Sequence, residues 1–484
     1  MILSLINHSY RYETENVVRI FFPVDKIVIT QELPDASSDY IITEKIDSDG
    51  EFAVCCFVNI NGKTAQGEKN VSAGNDEELI LAQLLYEILS EITCYTPSWG
   101  VLTGVRPSKL MRSLVAADGE EKAVSYFKNS LFVSDEKTQL ALSVAKAEDR
   151  IISLSGDNSY SLYVSIPFCP TRCSYCSFVS HSIAQAKKLI PDYVKLLCAE
   201  LEEIAKTAQS LNLNLETIYF GGGTPTSLSE GELKAVTDAV KNNFDVSKVR
   251  EYTIEAGRPD TLNAQKLRIM KDAGVSRISI NPQTFNPDVL KAIGRNHTPE
   301  MTENAFYMAR EAGFDNINMD FIASLPTDTY ESFCRSIDKA ISLSPENITV
   351  HTLALKRAAT IVTGGDASSV FGDTDKMLAY SSSQLYANGY FPYYMYRQSK
   401  SVGNNENVGW SRNDRECLYN IYMMEEVHTV LAAGGGAVTK LKSPFENRIE
   451  RIFNFKYPYE YINRFNELSE RKNRITEFYK ELGM

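Results

Sequence analysis

The hydrophobic rhythm of the chain changes near residue 160. From Ser161 onward, short apolar runs alternate with longer amphipathic stretches: LYVSI, ETIYF, EYTIEA, SRISI, INMDF and ITVHTLAL are separated by segments such as IPDYVKLLCAELEEIAKTAQ and GELKAVTDAVKNNF. The short runs predict strands and the amphipathic stretches predict helices. Six strand and helix units in succession require parallel strands with right-handed crossovers. They form either an open doubly wound sheet or a barrel, complete or partial. Before residue 150 the pattern differs. VVRIFFPV and FAVCCFVNI predict β structure, while EELILAQLLYEILSEIT and EEKAVSYFKNSLF predict amphipathic helices, so residues 1–150 are expected to form a small α+β domain. Within it, SWGVLTGVRPSKLM places Arg106 and Lys109 about a proline, a pattern that predicts a helix start.

The polar residues decide between sheet and barrel. The first predicted strand runs into a cysteine loop, the second into GGGTPT, the third ends at Glu255, the fourth leads to Gln283, the fifth reaches Asp320, and the sixth carries His351 and Thr352. A ring of functional groups at the carboxyl ends of several parallel strands is the arrangement of a barrel enzyme, whereas an open sheet uses mainly its switch point. A partial barrel of six strands is therefore expected over residues 155–380, with a C-terminal α+β extension over 381–484. The closing segment YPYEYINRFNELSERKNRITEFYKEL predicts helices that cover the lower barrel or the C-terminal sheet.

Composition narrows the partners. No run of 18 apolar residues occurs, so no membrane span is expected, and MILSLINHSYRYETENVV lacks the basic start and cleavage site of a secretory signal. A cytoplasmic protein is expected. The net charge of -12 argues against general affinity for nucleic acid or anionic lipid. Nine cysteines without a signal sequence fit reduced thiols. Cys55, Cys56, Cys94, Cys198, Cys334 and Cys417 read as small buried hydrophobes.

The remaining three, Cys169, Cys173 and Cys176, crowd one short loop in the spacing C-x3-C-x2-C. Three soft thiolates so placed suit an iron-sulfur cluster. A structural zinc site asks for four protein ligands; His181 is a candidate fourth, but no second CxxC pair exists. Three structural cysteines in a turn is the plain alternative, disfavoured by the rarity of cysteine and by the position of the loop after a barrel's first strand. Three ligands on a four-iron cluster leave one iron open to chelate a substrate or cofactor.

This arrangement resembles the radical S-adenosylmethionine (SAM) superfamily over residues from about 160 to 355. The resemblance implies a partial (β/α)6 radical SAM barrel with a 4Fe-4S cluster on Cys169, Cys173 and Cys176. It also implies SAM on the open iron, cleaved reductively to a 5'-deoxyadenosyl radical with electrons from a donor such as flavodoxin or ferredoxin. GGGTPT matches the superfamily's second motif. YVSIPFC with CSYC, YFGGGTPTSL, TIEAGRPD, GVSRISINPQTF, IGRNHT, NMDFIASLPTDT and NGYFPYYMYRQ are similar, in order, to signatures of the oxygen-independent coproporphyrinogen III oxidase family, in the branch with a long N-terminal extension. By position, the SAM contacts are expected at Tyr163, Tyr175, Gly222, Gly223, Thr224, Glu255, Gln283, Arg295, Asp320 and Ala354. Singly, each has a plainer role: Glu255 or Asp320 as helix caps, Arg295 in an ion pair, the tyrosines as packing.

Two departures bear on the substrate. Decarboxylating family members commonly carry a fourth cysteine where this chain has Phe178, and a histidine where it has Ser165. The resemblance implies decarboxylation of coproporphyrinogen III to protoporphyrinogen IX; the departures leave open a haem-binding trafficking protein, or a radical enzyme for another tetrapyrrole. Tyr390, Tyr393, Tyr394, Arg397 and Lys400 offer aromatic walls and cations for such a ligand, and ordinary packing accounts for them almost as well.

Overall fold

The computed structural model describes every residue except 24, 35–38, 49–50, 73–75, 177–179, 355–366, 399–400 and 413, and side chains except at those positions and at 47, 48, 51 and 367–372. The chain divides into two compact units. The first comprises residues 1–146, 363–375 and 395–406, and the second comprises 147–362, 376–394 and 407–484.

In the first unit, β1 (Ile2–Ile6), α1 (Arg11–Phe21), β2 (Val28–Thr30), β3 (Tyr40–Ser48), β4 (Glu51–Ile60) and β5 (Lys63–Val71) build a five-stranded sheet in the order β2-β1-β3-β4-β5. Then come α2 (Glu77–Thr93), which packs on α1, β4 and β5, and α3 (Pro107–Asp118), α4 (Glu120–Ser125) and α5 (Asp135–Ile152). The expected β segment VVRIFFPV is a correction: most of it lies in α1. Thr14, Val17, Val18 and Phe21 of that helix are buried, which is helical spacing for one face despite the β-branched residues. α3 begins at Pro107, where a missing N–H costs nothing. A buried ion pair lies in the unit's interior. Lys137 Nζ is 2.7 Å from Glu406 Oε1, and Trp99 Nε1 donates to Glu406 Oε2 at 2.7 Å.

The second unit runs β6 (Ser159–Ile166), β7 (Phe168–Cys169), β8 (His181–Ser182), α6 (Ile183–Ala186), α7 (Ile190–Ser210), β9 (Asn214–Gly222), α8 (Glu230–Asn243), β10 (Glu251–Glu255), α9 (Ala264–Asp272), β11 (Arg277–Ser279), α10 (Pro287–Ala292), α11 (Pro299–Glu311), β12 (Ile317–Ala323), α12 (Tyr330–Leu343) and β13 (Asn347–Thr352). After these come α13 (Ala367–Ala387), β14 (Phe391–Arg397), β15 (Glu406–Ser411), α14 (Leu418–Glu425), β16 (Thr429–Ala433), β17 (Val438–Lys442), β18 (Ile449–Phe453), α15 (Pro458–Asn463) and α16 (Phe465–Glu481).

β6, β9, β10, β11, β12 and β13 pair in that sequential order, every pair parallel. An order without reversal belongs to a barrel rather than to a doubly wound sheet. The barrel stays open because β6 continues to β16 and β13 to β15. Register explains the strand sequences. Leu162, Phe220, Ile254, Ile278, Met319 and Val350 share the apolar face, all at most 2 % exposed. The opposite face is polar: pairing sets Tyr163 beside Tyr219, Tyr219 beside Thr253, Glu255 beside Ser279, and Asp320 beside Thr349. α8 to α12 start promptly after their loops because side-chain caps are built in, from the capping box of Ser229 and Glu232 at α8 to Asn263, Asn286, Thr298 and Thr329 at the next four.

Candidate functional site

The cysteine loop leaves β6 at its carboxyl end and is stitched to the glycine turn that leaves β9. Gly223 N–H donates to the Ile166 carbonyl at 2.8 Å and Thr224 N–H to the Phe168 carbonyl at 2.7 Å. A Cβ on Gly223 would stand 2.5 Å from the Phe168 carbonyl oxygen, so a side chain there would push the two loops apart. Gly222 adopts φ +102°, open to glycine and strained for other residues. Their apposition brings Thr224 Oγ1 to 3.5 Å from Cys169 Sγ, as donor. From the turn after β10, Arg258 Nη1 donates to Cys173 Sγ at 3.7 Å. Burial pushes the Cys169 thiol pKa up, and the Thr224 hydroxyl pulls the other way.

These surroundings fit a cluster. Three thiols on one loop with N–H and O–H donors aimed at sulfur supply the required ligand chemistry. Among the described residues no group of three His, Cys, Asp or Glu is gathered around a single point. The β7–β8 register pairs His181 with Phe168 and pairs Ser182 with Cys169, and the His181 ring meets Tyr457 at 6.0 Å between centroids. Phe178 lies outside the described residues.

The expected SAM contacts lie mostly around the strand carboxyl ends. Arg295 Nη2 donates to Tyr175 Oη at 3.0 Å and Nη1 to the Asn281 carbonyl at 2.8 Å. Its Nε is buried without a partner among the described residues. An orphaned guanidinium N–H invites a carboxylate. Burial raises the Tyr175 hydroxyl pKa, against the lowering influence of Arg295. Glu255 accepts from Tyr219 Oη at 2.6 Å, and burial pushes its carboxyl pKa up to about 7. Asp320 is held below the usual carboxylate range: burial opposes this, but His351, the Asn318 amide at 2.7 Å and the Arg277 cation outweigh it. His351 Nε2 stands 3.9 Å from Asp320 Oδ1.

Gln283 is anchored by its backbone, with φ +68°, its N–H donating to the Asp320 carbonyl at 2.9 Å. Such a conformation in a residue other than glycine costs energy that the surrounding ladder must hold. Tyr163 stacks on Tyr219 and Tyr419 with centroids 6.3 and 6.0 Å apart. Ala354 follows β13 and shows no hydrogen bond to these groups among the described residues. Of the tetrapyrrole candidates, Tyr390, Tyr393, Tyr394 and Arg397 are core residues at most 5 % exposed, which is packing and not an open wall. Lys400 lies outside the described residues.

Sequence reasoning missed the contribution of Arg258, whose motif TIEAGRPD was visible but whose partner lies 85 residues away. It also missed Arg277, 1 % exposed, which lends its charge to both Glu255 and Asp320.

Residues 163–340 match the family described as the radical SAM superfamily. The oxygen-independent coproporphyrinogen-III oxidase-like protein HemZ of Bacillus subtilis is 34% identical over 480 residues, 96% of this chain and 95% of that one. Heme chaperone HemW of the same organism is 41% identical over 198 residues, 40% of this chain and 51% of its own. The solved coproporphyrinogen III oxidase (HemN) from Escherichia coli aligns with a TM-score of 0.49 at 22% identity, over 67% of this chain and 73% of its own. No helix among the described residues is long and apolar enough to cross a membrane. With a relative matched along nearly its whole length, the chain belongs to the oxygen-independent coproporphyrinogen-III oxidase-like members of the radical SAM superfamily, which use a 4Fe-4S cluster and SAM.

Proposed function

We propose that this protein decarboxylates coproporphyrinogen III to protoporphyrinogen IX without oxygen, with Cys169, Cys173 and Cys176 holding the cluster. The observation that carries the reading is the union, at one end of the barrel, of the thiol loop with the unpartnered Arg295 Nε and the acidic pair Glu255 and Asp320. When bound, the cluster and SAM supply one-electron chemistry able to break an unactivated C–H bond. The chain's residues bind and orient. Arg295, fixed through the Asn281 carbonyl and Tyr175, offers its remaining N–H to the carboxylate of SAM. Glu255 and Asp320 accept from ribose hydroxyls. The glycine turn lets backbone amides approach closely. At two of the four propionates, loss of a β-carbon hydrogen to the 5'-deoxyadenosyl group, of CO2, and of one electron to an external acceptor would leave a vinyl group.

A second reading, a haem-binding trafficking protein, is supported by Ser165. Its hydroxyl is committed to the Gly435 carbonyl at 2.8 Å, at the position where decarboxylating members of the family commonly carry a histidine. Anaerobic protein with reductant, SAM and coproporphyrinogen III tests both. Equal yields of 5'-deoxyadenosine and CO2 are expected. Deoxyadenosine without CO2 contradicts the decarboxylation, and a Soret shift on adding haem would favour the second reading.

A further inference from the structure

We infer that Arg258 tunes the reduction potential of the cluster through a charged hydrogen bond to the sulfur of Cys173. The inference rests on the proposed role of Cys173 as a cluster ligand. Arg258 is 3 % exposed. Its Nε and Nη2 donate to the two carboxylate oxygens of Asp260, each at 3.1 Å. Its Nη1 points elsewhere, 3.7 Å from Cys173 Sγ and 3.2 Å from Thr171 Oγ1. One edge of the fork is spent on a carboxylate and the other faces the thiol loop.

The mount is rigid. Thr261 Oγ1 donates to the Arg258 carbonyl at 2.7 Å and shares a 2.7 Å hydrogen bond with Thr226, in the turn that also carries Thr224. Lys266 Nζ ties the same two turns together through the carbonyls of Thr226 at 2.7 Å and Thr261 at 3.0 Å. If Arg258 served only to close its own turn, the pair with Asp260 would suffice. Burying the third N–H against a sulfur places positive charge where the cluster gains an electron. The reduced cluster carries one more negative charge than the oxidised one, and a buried donor to a ligating sulfur stabilises that form more. Low local polarity enlarges the difference. Arg258 is a positioning residue acting through Cys173, with no contact to substrate required.

The full chain, reconstituted anaerobically, is titrated redox-wise by electron paramagnetic resonance, with iron and sulfide measured alongside. Arg258→Met is expected to retain the full iron complement and to lower the midpoint. At a fixed ambient potential its reduced-to-oxidised ratio falls about tenfold, ~59 mV for a one-electron couple. Arg258→Lys, which keeps the charge but not the fork, shifts in the same direction by less. A filled Met variant with an unmoved midpoint overturns the inference and leaves the ligand assignment standing. Should the Met variant lose iron, the Lys variant decides, and a midpoint equal to that of the unaltered chain overturns the inference. Cys173→Ala separates the two readings: loss of the cluster upholds Cys173 as ligand, and retention of full iron overturns it.

Discussion

Two glutamates four residues apart on β10 point to the same face of the barrel and live differently. Glu251, at the amino end, is 4 % exposed and accepts from the Leu418 amide at 2.8 Å, the Tyr419 amide at 3.2 Å and the Cys417 thiol at 3.3 Å. It caps α14 with its charge against the helix N-terminus. Glu255, at the carboxyl end, accepts one hydrogen bond among the described residues, from Tyr219, and its carboxyl is pushed up to about 7. The barrel floor repeats the first pattern. Glu216 accepts from Ser159 at 2.5 Å, the Gly156 amide at 3.3 Å and Arg250 at 3.1 Å, while His428 bridges Ser155 and Ser161. Saturated polar networks at the amino ends stabilise the fold, and under-satisfied ones at the carboxyl ends are available to a ligand.

Substitutions can break that contrast. The largest effect is expected from Glu251→Ala, which strands two buried amides and should cost about 3 kcal/mol, read as a fall in Tm with iron binding intact in the folded protein. Next comes Glu255→Gln, with the opposite sign. The folded carboxyl ionises near 7 and the unfolded one near 4.5, so the folded state holds a proton in between. Stability from this group therefore falls as pH rises across that window. The variant should gain roughly 2 kcal/mol at pH 8 after allowance for partial solvent contact, and chemical denaturation at pH 5 and pH 8 checks it. In the unaltered chain, SAM affinity should rise with pH through about 7, and in the variant it should not. Asp320→Asn should weaken SAM binding about tenfold, ~1.4 kcal/mol, by equilibrium dialysis. The smallest effect belongs to His181→Ala, in which iron content should be unchanged; loss of iron there would make it a ligand after all.

The barrel was legible because short strands with one apolar face alternate with amphipathic helices, and because each strand leads to a chemically able residue. The thiol loop was legible as spacing. VVRIFFPV was misread because Val17, Val18, Ile20 and Phe21 favour strands locally, and only packing against α2 makes them one face of a helix. Tyr390, Tyr393 and Tyr394 read from the sequence as ligand walls or as packing, and they are buried, since aromatic composition does not say which way a ring faces. Arg258, Arg277 and the Tyr163, Tyr219 and Tyr419 stack depend on register between distant strands, which no local pattern carries.

The central claim is a cluster on three thiols whose remaining iron meets SAM. The most direct measurement is the electron paramagnetic resonance spectrum of the reduced, reconstituted full chain with and without SAM, beside a chain with Cys169, Cys173 and Cys176 all changed to Ala. The account predicts a 4Fe-4S signal that SAM alters and that the triple variant lacks. A signal indifferent to SAM, or iron retained by the triple variant, would contradict it.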